Sequence, residues 1–469
     1  KAFVLKKIFL LLFLPSAVFA QTHPSLFESY MKGQAGLYGF NGNVLVARKG
    51  VIVYQASFGY SDFSTRQALT VNSVFDCGSI AKEFTAMGIL LLKDKGMISY
   101  SDTLRKFFPR LPYPNVTIQQ LLTHTSGVPD GFELVATWFD HNSVASNNDL
   151  LRLLETKQPP LLFNPGEKLM YSGTGFNLLA SVIEKVSGQS YNSYMDEQVF
   201  KPLGMAHTRV ANSPRSPGSI PGYAYGYEYA DGARQYTRTD TGHSGWATYL
   251  AGITGEGMIV TSAADLLKWD RALKAHRLLT ETTQQEMLSP QSHNPFLGIS
   301  FGYGMRVGKN AFGNFIFHNG YYPGYLSMHL RYTDSDVTVI VLSNNESRAD
   351  FIADGLAAIA LGRDIRLPVA HKESSLLQVP EQYTGKYRMQ LTRPPFMGLF
   401  PVEFINKKDT LFIHVANGPD IKLRQESPQR FFFADGSDQQ IVFETRADVS
   451  LPKAWHIAWG VKKELERIE

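Results

Sequence analysis

Residues 79–96 read SIAKEFTAMGILLLKDKG, and this stretch indicates where the fold has its centre. From Ile80 to Leu92 the apolar residues lie on nearly every face of a helix, which is typical of a helix buried on all sides. Gly96 then supplies a C-terminal stop. The sequence therefore predicts a central, buried helix that begins near Ser79.

Ser79 and Lys82 lie at the start of this helix. Positions i and i+3 share one helix face, so the Lys82 amine can reach the Ser79 hydroxyl. A serine hydroxyl is a weak nucleophile until a neighbouring base takes its proton, and the free N–H groups of a helix N-terminus stabilise developing negative charge. Taken alone the Ser-x-x-Lys pair is a weak signal, because it also arises by chance as a capping serine followed by a solvated lysine.

Two later segments carry side chains suited to the same chemistry. Tyr171 lies on a loop between Asn164-Pro165-Gly166 and a predicted helix. His318-Asn319-Gly320 ends a predicted strand, and a glycine there lets the backbone approach a substrate closely. The Tyr321 N–H is then a candidate to pair with the N–H of the nucleophile as an oxyanion hole.

The remaining pattern predicts strands at both ends of a first domain and helices between them. A hairpin is expected over residues 43–58, with Lys49-Gly50 as its turn, and later strands at 315–318, 326–332 and 337–343 are expected to pair with it. The additional predicted helices are Ile118 to Leu122, Asp149 to Glu155, Phe176 to Val186 and Ala263 to Leu273. This arrangement indicates an α+β layer fold.

Beyond residue 358 the sequence pattern changes. Short segments in which apolar and polar residues alternate are separated by residues typical of turns, such as Lys408-Asp409 and Asp435-Gly436. We divide the chain into a first domain over residues 21–362, a linker over 363–375 and a small all-β domain over 376–469.

Residues 1–20 have the pattern of a secretory signal peptide: a basic start, an apolar run from Ile8 to Leu14 and small residues ending at Ala20. The run is too short to span a bilayer, so we expect cleavage after Ala20, no stable membrane span, and an exported, periplasmic or secreted protein. The net charge of +4 falls to about +1 without the three lysines of this leader, so it offers no argument for nucleic acid.

Three other signals receive structural interpretations. Cys77 is the only cysteine, so no intramolecular disulfide can form, and we interpret it as a packing residue. His124 lies in a turn rich in threonine and serine and is expected to be a hydrogen-bonded loop residue, not a base. No set of His, Asp and Glu residues has the spacing of a zinc or calcium site, so no metal is expected.

Together the three segments resemble the active-site motifs of class C β-lactamases, DD-peptidases and family VIII esterases: Ser-x-x-Lys, Tyr-x-Asn, and Lys-Thr-Gly or its His-x-Gly form. The resemblance covers residues 25–360. Supporting stretches match in the same order: residues 121–127 (LLTHTSG), 164–166 (NPG), 202–205 (PLGM) and 261–266 (TSAADL). The C-terminal segment, with residues 383–387 (YTGKY) near its start, resembles more loosely the lipocalin-like domain of some family members.

The resemblance implies a β-lactamase/transpeptidase-like antiparallel sheet flanked by a helical subdomain. It makes Ser79 the acylated nucleophile, gives Lys82 and Tyr171 a shared role in proton transfer, and puts His318 where the family has a cation. It implies no metal and no organic cofactor. Gly173 departs from the pattern, because it stands where the family has the asparagine that contacts the substrate's amide.

We therefore expect an exported serine hydrolase that forms an acyl-enzyme on Ser79 and acts on small esters or on peptide-like substrates built from D-amino acids. The missing asparagine favours esters. The alternatives are a β-lactamase or D-alanyl-D-alanine carboxypeptidase, a non-catalytic sensor that binds cell-wall peptide fragments, and a lipid- or peptide-binding protein whose function lies in the β domain. That domain is either a ligand-binding or gating module or a structural cap.

Overall fold

The computed structural model describes residues 24–212, 219–230, 235–241, 246–294, 299–374, 378–393, 396–416, 418–434, 437–445 and 451–468. The expected signal peptide and the expected Asp435-Gly436 turn lie outside these ranges. No helix in the described ranges combines the length and the apolar character needed to cross a membrane.

The helices of the described chain are all in the first domain, apart from one 3₁₀ turn at Glu381–Tyr383. They are α1 (Pro24–Tyr38), α2 (Ala81–Asp94), α3 (Leu104–Phe107), α4 (Ile118–Leu122), α5 (Gly131–Trp138), α6 (Asn147–Lys157), α7 (Gly173–Ser187), α8 (Tyr191–Met195), α9 (Trp246–Tyr249), α10 (Ala263–Lys274), α11 (Glu281–Leu288) and α12 (Ala349–Ala360).

The strands form one large sheet, one closed barrel and three small sheets. Those of the first domain are β1 (Gly42–Arg48), β2 (Val51–Phe58), β3 (Tyr60–Asp62), β4 (Gln67–Ala68), β5 (Phe75–Asp76), β6 (Arg209–Val210), β7 (Tyr227–Ala230), β8 (Gln235–Arg238), β9 (Ile259–Thr261), β10 (Ser292–Asn294), β11 (Ile299–Phe301), β12 (Arg306–Asn310), β13 (Gly313–Tyr322), β14 (Tyr325–Tyr332) and β15 (Val337–Ser343). The large sheet has the order β10-β11-β12-β13-β14-β15-β1-β2, and its strand pairs are antiparallel.

This sheet is buried on both faces. In β1, Val44 and Val46 point to a core formed with α1 and α12, whereas Leu45 and Ala47 point to a second core formed with α2, α7 and α10. Successive side chains of a strand alternate between faces, so a strand covered on both sides needs apolar residues throughout. This explains why all seven residues of β15, VTVIVLS, are buried.

The sequence expectations for the first domain agree with these elements. The predicted central helix is α2, which follows a 3₁₀ turn at Gly78–Ile80, and the hairpin β1–β2 pairs with β15 as expected. The predicted α+β fold is confirmed, with helices covering both faces of the sheet. Sequence analysis did not predict α1 or α12, whose apolar surfaces have partners only in the tertiary structure, nor the shorter helices α3, α5, α8, α9 and α11.

The C-terminal domain is a closed barrel of eight strands, each paired with its neighbour in sequence. The strands are β16 (Gly385–Arg393), β17 (Phe396–Lys407), β18 (Thr410–Val415), β19 (Ile421–Ser427), β20 (Arg430–Phe433), β21 (Gln439–Glu444), β22 (Lys453–Ala458) and β23 (Val461–Arg467). Pairing of β16 with β23 closes it. Lys408 and Asp409 form the predicted turn, and both adopt the positive φ that a two-residue hairpin turn requires.

Side chains occupy the interior of this barrel. Tyr383 stacks on Phe443 with ring centroids 4.1 Å apart, and Phe404 and Phe431 pack edge-on against Phe443. An eight-stranded barrel has an interior just wide enough to be filled by side chains or to hold one small ligand. The observed packing favours the structural cap over the ligand-binding module.

The turn between β22 and β23 joins the barrel to the first domain. Trp459 stacks on Phe351 of α12 with ring centroids 4.0 Å apart, and the Tyr30 hydroxyl of α1 donates a 3.0 Å hydrogen bond to the Trp459 carbonyl. Gly355 of α12 permits this contact, because a Cβ there would lie 2.2 Å from the Tyr30 hydroxyl oxygen. These contacts lie on the face of the sheet opposite α2.

A buried charge network connects α2 to the sheet on the other face. The Glu83 carboxylate accepts hydrogen bonds from Trp269 Nε1 (2.6 Å) and from the His329 ring (3.0 Å), and His329 also lies 3.5 Å from Asp270. Burial works to lower the pKa of His329, but the carboxylates of Glu83 and Asp270 outweigh it and raise the pKa to about 9. His329 therefore stays protonated at neutral pH.

We predict that His329→Gln lowers the free energy of unfolding by about 3–5 kcal/mol, because it removes the cation that pairs with the buried Glu83 carboxylate, whereas Asp270 keeps Arg331. The folded-state pKa lies above the unfolded value of about 6.5, so this stabilisation is complete below pH 6.5 and is lost as the pH rises through 9. Denaturant unfolding at several pH values should show the difference between wild type and variant shrinking by on the order of 3 kcal/mol. The exposed His293→Gln serves as control, and parallel curves for wild type and His329→Gln would contradict the assignment.

Candidate active site

Ser79 lies in the 3₁₀ turn that leads into α2, and it is half-buried between the buried residues Gly78 and Ile80. The Lys82 ammonium, one turn further along, lies 3.0 Å from the Ser79 Oγ. The predicted pairing of the two side chains through the i, i+3 spacing is therefore present in the structure.

Lys82 has no exposed surface, and its ammonium group donates three hydrogen bonds. Besides Ser79 Oγ, the acceptors are the backbone carbonyl and the Oε2 of Glu256, both at 2.9 Å. Burial works to lower the pKa of Lys82, but the charge of Glu256, together with Tyr171, outweighs it and raises the pKa. Lys82 is therefore an ammonium ion at neutral pH, and all three of its protons are engaged.

Glu256 is held by a loop anchored on two helices. The Thr85 hydroxyl of α2 donates a 2.6 Å hydrogen bond to the Gly255 carbonyl, and Asn177 of α7 donates one of 2.8 Å to the Thr254 carbonyl. Gly255 has a φ of +104° and lies so close to α7 that a Cβ would be 2.3 Å from the Phe176 carbonyl oxygen. The loop thus places a carboxylate next to Lys82, which in turn contacts Ser79.

His124 holds the backbone on both sides of Tyr171 in place. The backbone N–H groups of Met170 and Ser172, on either side of Tyr171, donate to the carbonyl (2.9 Å) and to the Nδ1 (3.1 Å) of His124. The His124 ring also lies against the Tyr171 ring, with centroids 4.5 Å apart. Burial, aided by nearby positive charge, holds the pKa of His124 well below 6.5, so the neutral ring accepts the hydrogen bond from Ser172. His124 is thus a hydrogen-bonded loop residue, as expected.

The phenol ring of Tyr171 lies close to two cations. Lys82 Nζ is 5.0 Å from the ring centroid, and the guanidinium carbon of Arg306, on β12, is 5.4 Å from it. Both distances are within the range of cation–π attraction. Tyr171 itself is 38% exposed, so it is accessible to a substrate.

His318 is not the cation that the resemblance implies. Its Nδ1 donates a 2.7 Å hydrogen bond to the Asn319 carbonyl, while its Nε2 is buried without a partner among the described residues. Burial, and then the charges of Arg306 and Lys82, hold the pKa of His318 well below 6.5, so the ring is neutral at neutral pH. The positive charge comes instead from Arg306, whose guanidinium donates a 2.6 Å hydrogen bond to Asn319 Oδ1.

Gly320 and Gly78 allow β13 to lie directly against the 3₁₀ turn that carries Ser79. A Cβ on Gly320 would lie 1.9 Å from the Cys77 carbonyl oxygen, and a Cβ on Gly78 would lie 2.6 Å from the Tyr321 nitrogen. The backbone of Tyr321, which we expect to provide an oxyanion-hole N–H, is therefore adjacent to the turn that carries Ser79. Cys77 is buried in the core beside this contact and forms no disulfide.

Gly173 begins α7 next to Tyr171, and its φ is not in the left-handed region. The three atoms nearest to a Cβ built there all belong to the Glu256 side chain, the closest being Oε2 at 2.7 Å. The space that a side chain at position 173 would need is therefore occupied by Glu256.

The structure brings together Ser79, Lys82, Tyr171 and the segment His318 to Tyr321. Sequence analysis missed Glu256 and Arg306. Glu256 has only the weak signal of an acidic residue between Gly255 and Gly257, in a loop without periodicity. Arg306 is a charged residue between the buried Met305 and Val307 on a strand, and that pattern also describes ordinary edge residues.

We predict that Gly320→Ala displaces β13 from the 3₁₀ turn that carries Ser79, because no side chain fits 1.9 Å from the Cys77 carbonyl oxygen. A shift of about 1 Å can lower the rate about 10²-fold, so labelling of Ser79 by a serine-directed phosphonate should slow by about that factor. Labelling kinetics and the melting temperature measure the effect. Gly36→Ala in α1, where a Cβ would meet nothing within 4 Å, is the control; unchanged labelling in Gly320→Ala would refute the close contact.

Known proteins resemble this chain in sequence and in fold. Residues 25–363 match the family model described as Beta-lactamase. Penicillin-binding protein 4* of Bacillus subtilis is 34% identical over 402 residues, which are 84% of this chain and 88% of that protein. A D-aminopeptidase of Cereibacter sphaeroides is 25% identical over 73% of this chain and 62% of its own length. The crystal structure of a penicillin-binding protein from Bacillus halodurans superposes with a TM-score of 0.62 at 29% identity, covering 71% of this chain and 98% of that one. This chain therefore belongs to the Beta-lactamase family.

Proposed function

We propose that this chain is an exported serine hydrolase that forms an acyl-enzyme on Ser79 and acts on small esters and on peptide-like substrates of D-amino acids. The observation that carries the proposal is the 3.0 Å hydrogen bond between Lys82 Nζ and Ser79 Oγ. The family supports a hydrolase, and the D-aminopeptidase among the relatives supports small amide or peptide substrates. The pattern of residues 1–20 supports export.

In the proposed first step, Ser79 Oγ attacks the substrate's carbonyl carbon. The new ester bond forms, the bond to the leaving group breaks, and Tyr171 relays the Ser79 proton to the leaving group by accepting it while giving up its own. Lys82, with all its protons engaged, stabilises the charge on Oγ and does not act as the base. In the second step water attacks the carbonyl carbon of the ester. Tyr171 relays a proton from this water to Ser79 Oγ, and the bond between Oγ and the acyl group breaks.

The two N–H groups of Ser79 and Tyr321 would stabilise the negative oxygen of the tetrahedral intermediate. Arg306 adds a fixed positive charge beside Tyr171 and Asn319. It is therefore suited to a substrate whose leaving group carries a carboxylate, as in a peptide.

A second candidate is a penicillin-binding protein that is acylated but does not turn over. The name of the 34% identical relative favours it. A burst of acylation without later product release distinguishes this candidate from the hydrolase.

We predict that Ser79→Ala abolishes labelling by a serine-directed phosphonate and reduces hydrolysis to background, because the acyl-enzyme needs the Ser79 oxygen. The substrates to be tested are short-chain esters, D-amino-acid amides and peptides, and β-lactams. Ser101→Ala, at an exposed loop serine, should leave labelling unchanged. Persistent labelling of Ser79→Ala would rule out this nucleophile.

We predict that Tyr171→Phe lowers kcat by about 10²–10⁴-fold, the usual effect of removing a general acid–base group. The ring contact with His124 is kept, so the melting temperature should change little. Tyr60→Phe is a matched control, because Tyr60 is 37% exposed and Tyr171 is 38% exposed. A near-normal rate for Tyr171→Phe would assign the proton transfer to Lys82 instead.

A further inference from the structure

Glu256 takes the place of the side chain that Gly173 lacks. Its Oε2 lies 2.7 Å from the position of a Cβ on Gly173, and the same oxygen accepts a 2.9 Å hydrogen bond from Lys82. The Glu256 side chain is 18% exposed, so it is not sealed within the protein. The site therefore presents a carboxylate next to Tyr171.

This carboxylate lies within reach of the acyl part of a substrate. Hydrogen bonds of 2.9 and 3.0 Å join Glu256 Oε2 to Lys82 Nζ and Lys82 Nζ to Ser79 Oγ, so the two oxygens are at most about 6 Å apart. With standard bond lengths, the nitrogen on the α-carbon of an aminoacyl group attached to Oγ lies about 2.5 to 3.6 Å from Oγ, depending on the rotation about the bond between the carbonyl carbon and the α-carbon. A hydrogen bond of about 3 Å then reaches Oε2, and Oε1 is bonded to the same carboxyl carbon.

The chemistry of the carboxylate decides which group fits there. An ionised carboxylate only accepts hydrogen bonds, whereas an asparagine amide both donates and accepts. Lys82 occupies Oε2, and Oε1 makes no hydrogen bond with any residue in the described ranges. A protonated amine can donate to this oxygen, but the carbonyl of an N-acylated amine would face a second acceptor.

We propose that Glu256 is a specificity-determining residue that selects substrates whose acyl part carries a free α-ammonium group. This proposal rests on the proposed acyl-enzyme at Ser79 and specifies its substrate class. Free amino-acid amides, esters and peptides with an unblocked amino terminus fit the site, whereas N-acylated peptides and penicillins, which carry an acylated amine, do not.

Glu256 also stabilises the charge of Lys82, so loss of activity alone in a variant does not test the proposal. The informative quantity is the ratio of kcat/KM for a substrate with a free amine to that for its N-acetylated counterpart. A residue that only positions Lys82 changes both values together and leaves the ratio unchanged. A residue that binds the ammonium changes the ratio.

The experiment uses the purified full chain with alanine p-nitroanilide and N-acetylalanine p-nitroanilide, each as D and L enantiomer. We expect the wild type to prefer the free amine, and Glu256→Gln to lower the kcat/KM ratio by about 10- to 100-fold, the range for a lost hydrogen bond to a charged group. Glu133→Gln, at an exposed carboxylate on α5, should keep the wild-type ratio.

A double variant tests whether an amide at position 173 can replace the carboxylate of Glu256. Glu256→Ala combined with Gly173→Asn removes the carboxylate and restores an amide, so we expect the preference to move toward the N-acetylated substrate. Gly173→Asn alone should lower the melting temperature, because its Cβ meets Glu256. The double variant relieves this clash and should recover the stability.

Three results would overturn the inference. The first is a wild-type preference for the N-acetylated substrates. The second is a kcat/KM ratio in Glu256→Gln equal to that of the wild type. Either result overturns the role of Glu256 but leaves the proposed hydrolase activity intact. If none of the four compounds is hydrolysed and the phosphonate does not label Ser79, the proposed function fails as well.

Discussion

The site depends on one buried ammonium ion. Lys82 has no contact with water, and a buried charge is tolerated only where protein groups replace its hydration. The carboxylate and carbonyl of Glu256 and the hydroxyl of Ser79 do this, one for each proton. This requirement holds the loop of Glu256, the start of α2 and the nucleophile in one arrangement. In the proposed mechanism Lys82 is accordingly an electrostatic group, and Tyr171 relays the proton.

The arrangement is rigid because α2 is anchored below the site as well. Glu83, next to Lys82 in sequence, is fully buried and bound by Trp269 and His329. The sheet that carries His329 is covered on both faces, so it cannot shift without opening a core. On the same sheet β13 contacts the 3₁₀ turn of Ser79 through Gly320, which ties the backbone of Tyr321 to the position of Ser79. Packing of the first domain and geometry of the site are therefore coupled.

The barrel completes the first domain from the opposite side. Trp459 covers apolar surface of α1 and α12, and aromatic side chains pack against one another inside the barrel. These contacts favour a structural role for the barrel and leave the chemistry to the first domain. The proposed recognition of the substrate depends on Glu256 and Arg306, and neither residue was identified from the sequence.

The sequence by itself determined the α+β class, the central helix, the strands that pair across the ends of the first domain, and the β-rich C-terminal segment. These follow from local periodicity and turn residues, and the residues Ser79, Lys82 and Tyr171 follow from short motifs in a fixed order. Only the tertiary structure decided the helices α1 and α12, the neutral state of His318, the cation at Arg306 and the carboxylate that fills the space at Gly173. Charge state depends on burial and on neighbours distant in sequence: Glu256 is 174 residues from Lys82 and meets it only in the folded chain. A glycine in the sequence shows that a side chain is missing, whereas the fold decides what occupies the space.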